Sequence, residues 1–231
     1  MNKVHQQPGF ILKSQAFKES SFIHQVFTQD YGLLSVISKG SRGKNSKHGS
    51  LLQAFRPLSI SWVGKSELKT LTSVDETYHF KQLKGNALYC GLYVNELILN
   101  LIHKHDAHPR LFQVYMDVIG KLSVVKNVEP SLRQFEKCLF DEIGYGLSLQ
   151  HEAESGKPIE PDAYYVYRMG LGAVAQEKTH HADVMLGSTL INLASNKLND
   201  KTELAQAKRM MRRLIDAQLD GKILKSRGLF V

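Results

Sequence analysis

The apolar residues of this chain change their spacing once, near residue 80, and that change limits the folds open to it. Residues 9–75 break into short runs rich in β-branched and aromatic residues, separated by turn residues. In one run Leu58, Ile60 and Trp62 alternate with serines, the period of a strand with one buried face. Residues 87–105 are instead almost continuously apolar, which is typical of a helix in a core. The pattern predicts an α+β chain that begins with strands and continues with helices.

The strand-rich part is predicted to be a small barrel. Its five runs cover residues 10–13, 22–28, 33–38, 51–63 and 68–74. Five short strands in about 70 residues suit a closed barrel, and the five-stranded OB-fold is the commonest such barrel that binds oligonucleotides. An SH3-like barrel and an open meander are the alternatives. We predict that residues 1–80 form an OB-fold DNA-binding domain.

Residues 81–231 are predicted to form an all-helical domain with an irregular insertion. Pro109 and Pro130 mark the first turns of two helices, and Asp200 followed by Glu203 resembles a capping box. The segment 146–184 is rich in glycine and proline and is the least regular part, with a small hairpin around 163–168. The predicted helices span residues 87–105, 110–122, 131–144, 187–197 and 202–220.

Positive charge is concentrated in the first third of the chain. The whole chain has 30 basic and 22 acidic residues, a net charge of +8, and residues 1–82 hold eleven of the basic and five of the acidic ones. Such a field draws polyanions, either nucleic acid or acidic protein tails. Residues 39–50, called the basic loop below, carry four cations and no acid among glycines and serines. A loop of this kind can follow a phosphate backbone, and the alternative is a solvated flexible loop.

The candidate DNA contacts fall into two groups. The first is the basic loop with three lysines elsewhere in the barrel, namely Lys39, Arg42, Lys44, Lys47, Lys13, Lys65 and Lys69. The second lies near the end of the chain, at Arg209, Arg212, Arg213, Lys222, Lys225 and Arg227. This second group is either another phosphate track or the solvated side of an amphipathic helix. The aromatic residues of the barrel are assigned to its core rather than to base stacking.

No catalytic motif stands out. A P-loop, a dinucleotide fingerprint, a Gly-x-Ser-x-Gly elbow and a His-Glu-x-x-His helix are all absent from the sequence. We therefore predict a protein that is not an enzyme and uses no cofactor. The less favoured alternative is an enzyme whose site assembles from scattered residues, although a helix-capping role is assigned to them first. Those residues are His103, His105, Asp106 and His108.

The cysteines and histidines do not form a zinc pattern. Cys90 and Cys138 lie in apolar stretches, and the sequence has no Cys-x-x-Cys pair. His151, His180 and His181 are expected on the surface. We predict no metal. The start lacks the apolar run of a signal peptide and no segment approaches about 18 apolar residues, so we also predict a cytoplasmic protein without membrane contact.

Short motifs follow one another along nearly the whole chain. They are Gly9-Phe10-Ile11-Leu12-Lys13, Glu19-Ser20, Asp30-Tyr31-Gly32-Leu33-Leu34-Ser35, Lys39-Gly40-x-Arg42, Gly91-Leu92-Tyr93-Val94-Asn95-Glu96-Leu97, His108-Pro109-x-Leu111-Phe112, Leu132-Arg133-x-Phe135-Glu136, Leu139, Gly144-Tyr145-Gly146 and Lys222-x-Leu224-Lys225-Ser226-Arg227. In this order they resemble the RecO family of bacterial recombination mediators.

The resemblance implies an N-terminal OB-fold, a helical body and a non-enzymatic role in DNA repair. It implies binding of single- and double-stranded DNA, annealing of complementary strands, and action with RecR to load RecA onto DNA coated by single-strand binding protein. It also implies that the acidic tail of single-strand binding protein docks on the helical body, with Arg133 as the candidate partner of its carboxylates. The alternative for Arg133 is an intramolecular salt bridge. The rival function is a basic adaptor that binds acidic protein tails and contacts nucleic acid only incidentally.

The sequence departs from the family pattern after Gly144-Tyr145-Gly146. Many members carry a four-cysteine zinc module there. In this chain His151 and Glu154 stand about where the first cysteine pair would fall, and there is no second pair. The resemblance therefore implies a member of the cysteine-poor branch, without zinc.

Overall fold

The structure is a computed structural model and describes residues 3–43, 46, 49–179 and 181–230. The chain forms two compact units. The barrel unit comprises the residues up to Val125 together with those from Leu224 onward, and the second unit is Lys126–Ile223. The chain therefore leaves the barrel unit once and returns to it at its end.

Five strands form the centre of the barrel unit. They are β1 (Lys3–Phe17), β2 (Ser21–Thr28), β3 (Gly32–Ser38), β4 (Leu58–Val63) and β5 (Leu68–Glu76). The strands close into a barrel in the order β1-β2-β3-β5-β4, with β1 pairing to both β2 and β4. Only the β3–β5 pair in this barrel is parallel. This closed order confirms the predicted five-stranded, OB-like barrel.

Two strands differ from their predicted extents. β1 begins at Lys3 rather than at residue 10, because its first half pairs with β4 and its second half with β2. β4 begins at Leu58 rather than at residue 51. Just before it, Phe55 has a φ of 68°, in the left-handed region, and Pro57 has no amide hydrogen to give to a ladder.

Two helices, α1 (Gly85–Leu101) and α2 (Pro109–Leu122), pack on the barrel. Phe10 and Phe27 of the barrel contact Phe112 and Tyr115 of α2, with ring centroids 4.9 to 6.0 Å apart. Because both helices belong to the barrel unit, the compact units divide the chain elsewhere than at the predicted boundary between residues 80 and 81.

The second unit combines helices with a small sheet. Its elements are α3 (Glu129–Glu142), β6 (Tyr164–Arg168), β7 (Gly172–Gln176), β8 (Val184–Leu186), α4 (Gly187–Ala194) and α5 (Lys201–Gln218). The three strands form one antiparallel sheet in the order β7-β6-β8. The segment 146–184, predicted to be irregular, thus contains most of an ordered sheet, of which the predicted hairpin strand is the centre.

The start of α5 follows the predicted capping pattern in part. Asp200 Oδ1 accepts hydrogen bonds from the backbone amides of Thr202 at 2.8 Å and Glu203 at 3.1 Å, which confirms its capping role. The Glu203 carboxylate does not complete a capping box, because it accepts two hydrogen bonds from Asn192 Nδ2 of α4. Glu203 therefore joins α5 to α4.

Candidate nucleic-acid interface

The first residues of the basic loop are hydrogen-bonded to the turn between β1 and β2. The backbone amide of Arg42 donates to Ser20 O at 3.1 Å, and Arg42 Nη1 donates to Lys18 O at 2.7 Å. The guanidinium also lies over the Phe22 ring, 5.8 Å from its centroid. These contacts place the first turn of the basic loop beside the β1–β2 turn.

A series of hydrogen bonds, buried except at the exposed Ser14, reaches the same turn from inside the barrel. His24 is 1% exposed, and its ring nitrogens contact Ser14 Oγ at 2.7 Å and Ser38 Oγ at 2.8 Å. Ser38 Oγ in turn contacts Ser41 Oγ at 2.6 Å. Burial lowers the pKa of His24 to about 4, so the ring is neutral at pH 7. The basic loop is thus attached to β1, β2 and β3 through neutral groups.

The predicted barrel contacts other than Lys13 lie in or beside two turns of the barrel. Lys39 and Arg42 are exposed and follow β3, at the end where the β1–β2 turn lies, and Lys44 and Lys47 lie outside the described residues. Lys65 and Lys69 belong to the β4–β5 turn and the start of β5, and Lys69 pairs with Val36 of β3, three residues before Lys39.

Sequence reasoning missed one cation at the basic-loop end. Lys18 stands in the β1–β2 turn, is exposed, and has a φ of 52°, in the left-handed region. Its Nζ lies 5.5 Å from the centroid of the Phe17 ring. Lys13, which was predicted, is exposed in β1 opposite Gln25. Nothing in the local sequence separates Lys18 from other surface lysines, and only the pairing of β1 with β2 places it beside Arg42.

The cations of α5 are largely engaged within the second unit. Arg213 Nη2 donates to Tyr167 O at 2.6 Å, and its guanidinium pairs with Asp183. Arg209 Nε donates to Ala182 O at 3.1 Å. Arg212 and Lys222 are exposed. The arginines at 209 and 213 therefore hold β6 and the segment before β8.

Lys225 and Arg227 do not belong to the same unit as α5. They lie in a short 3-10 helix, Lys225–Leu229, of the barrel unit. The backbone amides of Lys225 and Ser226 each donate to the Glu96 carboxylate of α1 at 2.9 Å, and Ser226 Oγ donates to it at 2.6 Å. Burial opposes the charge on Glu96, but these hydrogen bonds outweigh it and lower the pKa of that carboxyl. The predicted C-terminal group is therefore not one continuous element.

Comparison with known proteins identifies the family of this chain. The family model described as the N-terminal part of recombination protein O matches residues 1–80, and the one described as its C-terminal part matches residues 82–228. The chain belongs to the RecO family. A DNA repair protein RecO of Dechloromonas aromatica is 39% identical over 233 residues, covering 99% of this chain and 96% of the relative. The protein of that name from Nitrosospira multiformis is 38% identical over 225 residues, covering 96% and 93%.

Two motifs that carried the RecO resemblance have local structural reasons. Gly32 has a φ of 62°, and a Cβ atom there would lie 1.9 Å from Asp106 O, so only glycine fits where this turn meets the chain after α1. The motif around Glu96 contains the carboxylate that binds the C-terminal motif at Ser226. Residues far apart in the RecO pattern are therefore direct partners in this chain.

Arg133, the predicted partner of an acidic tail, makes the intramolecular salt bridge that was its alternative. Its Nη2 atom contacts Glu136 Oε1, and the two side chains are 6% and 1% exposed. The pair lies along one face of α3, three residues apart. As folded, Arg133 presents almost no surface to a peptide.

A carboxylate organises the turn that follows Gly144-Tyr145-Gly146, where the RecO resemblance implied a departure from the family pattern. Glu152 is 8% exposed, and its oxygens accept hydrogen bonds from the backbone amides of Glu154 at 3.1 Å and Ser155 at 2.6 Å. Hydrogen bonds from Ser155 are the main cause of its lowered pKa. Within the described residues no group of three or more His, Cys, Asp or Glu could hold a metal ion, and His180 lies outside them.

Side chains of the histidine cluster after α1 contact nearby carboxylates, and His108 is also the N-cap residue of α2, although its side chain makes no capping hydrogen bond. His105 Nε2 lies 3.2 Å and Lys104 Nζ 3.9 Å from the Glu67 carboxylate, and His108 Nε2 lies 3.5 Å from Asp106 Oδ2. The cap of α1 is made by the amide of Ile102. No helix among the described residues is long and apolar enough to cross a membrane.

Proposed function

We propose that this chain is a non-enzymatic recombination mediator of DNA repair that acts in the cytoplasm. It would bind single- and double-stranded DNA and anneal complementary strands. With RecR it would help to load RecA onto DNA coated by single-strand binding protein. The observation that carries the proposal is a basic loop fixed at one end of an OB-like barrel in a chain whose relatives are named DNA repair proteins.

The proposed mechanism is electrostatic. Lys18 and Lys39 are exposed at the basic-loop end, and no carboxylate among the described residues forms an ion pair with either. Cations in this state can neutralise phosphates, so two complementary strands approach each other with less repulsion. Annealing of this kind needs no nucleotide hydrolysis and no metal.

The partner half of the proposal concerns the acidic tail of single-strand binding protein. Tail binding by Arg133 would require its guanidinium to exchange the Glu136 carboxylate for one of the tail, at a cost because both groups are buried. Arg212, an exposed cation of α5, requires no such exchange. Charge reversal at Arg212 that weakens tail binding more than Arg133→Gln does would assign the contact to α5.

The deciding experiment is annealing of two complementary oligonucleotides without ATP, at two salt concentrations, with and without single-strand binding protein. The mediator should accelerate annealing of naked and of coated strands, and raising the salt should slow both reactions. No acceleration in either setting would exclude annealing. Tight binding to the acidic tail together with no annealing would support the basic adaptor instead.

A further inference from the structure

The hydroxyl protons at the base of the basic loop have only one consistent arrangement. Ser41 Oγ donates its proton to Ser38 O at 2.9 Å, so in its contact with Ser38 Oγ it must be the acceptor. Ser38 Oγ has then used its one proton, so it accepts from His24 Nε2. The other ring nitrogen, Nδ1, carries no proton in the neutral ring and accepts from Ser14 Oγ.

Every group in this series of hydrogen bonds therefore has its partners, and the bonds all run in one direction from donor to acceptor. The series starts at Ser14 in β1, passes through His24 in β2 and Ser38 in β3, and ends at Ser41 in the basic loop. A fully satisfied polar network in a low-dielectric interior holds its members in one geometry. The first turn of the basic loop is consequently fixed from inside the barrel.

Arg42 fixes the same turn from outside. It donates to Lys18 O through Nη1 and to Ser20 O through its backbone amide, and its guanidinium lies over the Phe22 ring at 5.8 Å from the centroid. Arginine suits this combined role because its planar group can stack and donate at once. Two of these contacts engage the side chain and one engages the backbone, all within the barrel unit.

We infer that Ser41 and Arg42 are positioning residues for nucleic-acid binding, and that Lys18 and Lys39 are the phosphate-binding cations they position. The inference rests on the proposed DNA binding and deepens it. A turn that is held in place before binding, as residues 39–43 are, has less conformational entropy to lose when phosphates arrive, so the anchors raise affinity without contacting the ligand. Lys18 becomes part of the site because Arg42 is bound to its carbonyl oxygen.

Salt dependence separates a positioning residue from a phosphate ligand. The slope of log affinity against log salt counts neutralised phosphates, at roughly 0.7 per contact for single strands. Ser41→Ala breaks the internal anchor without changing any charge. We expect this variant to bind a single-stranded oligonucleotide about three- to tenfold more weakly at every salt concentration, with an unchanged slope.

Two further variants complete the design. Arg42→Gln should lower affinity by a similar factor, and the double variant should lose less than the product of the two single losses, because both anchors hold one turn. Lys18→Gln is the matched control for a phosphate ligand, and it should reduce the magnitude of the slope by roughly 0.7. Unchanged affinity in Ser41→Ala, together with a reduced slope in Arg42→Gln, would overturn the inference and make Arg42 a phosphate ligand.

A measurement without DNA distinguishes failure of this inference from failure of the proposed function. In the free protein the Arg42 amide donates to Ser20 O, so it should be protected from hydrogen exchange, and Ser41→Ala should accelerate its exchange. Unaltered exchange in that variant would show that Ser41 does not anchor the loop, whatever the DNA result. Faster exchange with no DNA binding by the wild-type protein would keep the anchor and reject the proposed ligand.

Discussion

The basic-loop end of the barrel and the α5 face of the second unit carry similar positive charge but hold it in opposite ways. At the barrel end the anchors are largely neutral, a chain of serines around His24, and Lys18 and Lys39 remain exposed. In the second unit the cations are themselves the anchors, as with Arg213 on Tyr167 O. A count of charges cannot separate these cases. The number of donors already in use within the fold decides which cations can meet a ligand.

Breaking the buried ion pair between Arg133 and Glu136 in the second unit should give the largest effect on stability. Arg133→Gln leaves the Glu136 carboxylate buried without this guanidinium, and we expect the free energy of unfolding to fall by about 3–5 kcal/mol. Urea unfolding at neutral pH measures the loss. Replacing both residues, as in Arg133→Met with Glu136→Leu, should recover most of it, since no charge then remains buried. A loss below about 1 kcal/mol would place this pair with ordinary surface salt bridges.

The neutral anchor of the barrel end should instead respond to acid. The pKa of His24 is lowered to about 4 from 6.5, so between these values the unfolded chain binds a proton that the folded chain does not. Its contribution to stability is complete above pH 6.5 and is lost as the pH falls toward 4, by up to about 3 kcal/mol. Unfolding of wild type and His24→Gln across this range tests it. Parallel pH profiles for the two proteins would contradict the assignment.

DNA binding should separate the basic loop from the β4–β5 turn. Reversing the charges of Lys39, Arg42, Lys44 and Lys47 together should weaken single-strand binding about hundredfold at low salt and lower the salt slope by up to about 3. The comparison variant reverses Lys65 and Lys69 of the β4–β5 turn, where Lys69 Nζ already donates to Ser66 O, and it should change both quantities less. If this variant has the larger effect, the main DNA contact lies at the β4–β5 turn.

The smallest effect should come from the exposed side of α5. Arg213→Gln removes a hydrogen bond to Tyr167 O and a half-exposed ion pair with Asp183, so a loss of about 1 kcal/mol in unfolding free energy is expected. Arg212→Gln, on the same helix and exposed, should change stability by less than about 0.5 kcal/mol. Equal losses for the two variants would show that α5 does not use its arginines in the way described.

Much of the fold was predictable because the barrel strands alternate and α1 does not. Leu58, Ile60 and Trp62 are each at most 2% exposed, as their spacing indicates. The first half of β1 escaped detection because it is polar, and Gln7 carries no signal of the pairing with Ile60 that makes it a strand. Such pairing is a long-range contact, and local sequence does not encode it.

The sequence predicts the positive charge of the candidate site but not the arrangement of its residues. The basic loop is visible as a run of cations, but the pairing that brings Lys69 beside Val36, three residues before this loop, is a long-range contact. The burial of Arg133 depends on the fit of α3 within its unit, and the anchoring of Arg42 depends on a turn more than twenty residues away. These are properties of the folded arrangement.

The anchoring of Ser226 on Glu96 separates position along the chain from membership of a folding unit. The final residues complete the first unit, so a fragment ending at Val125 would leave the Glu96 carboxylate without three of its donors. The residues from Leu224 onward, which follow α5, likewise belong to the barrel unit. A reporter fused to the carboxyl terminus would sense the state of the barrel and not that of α5, although α5 is its nearer neighbour in sequence.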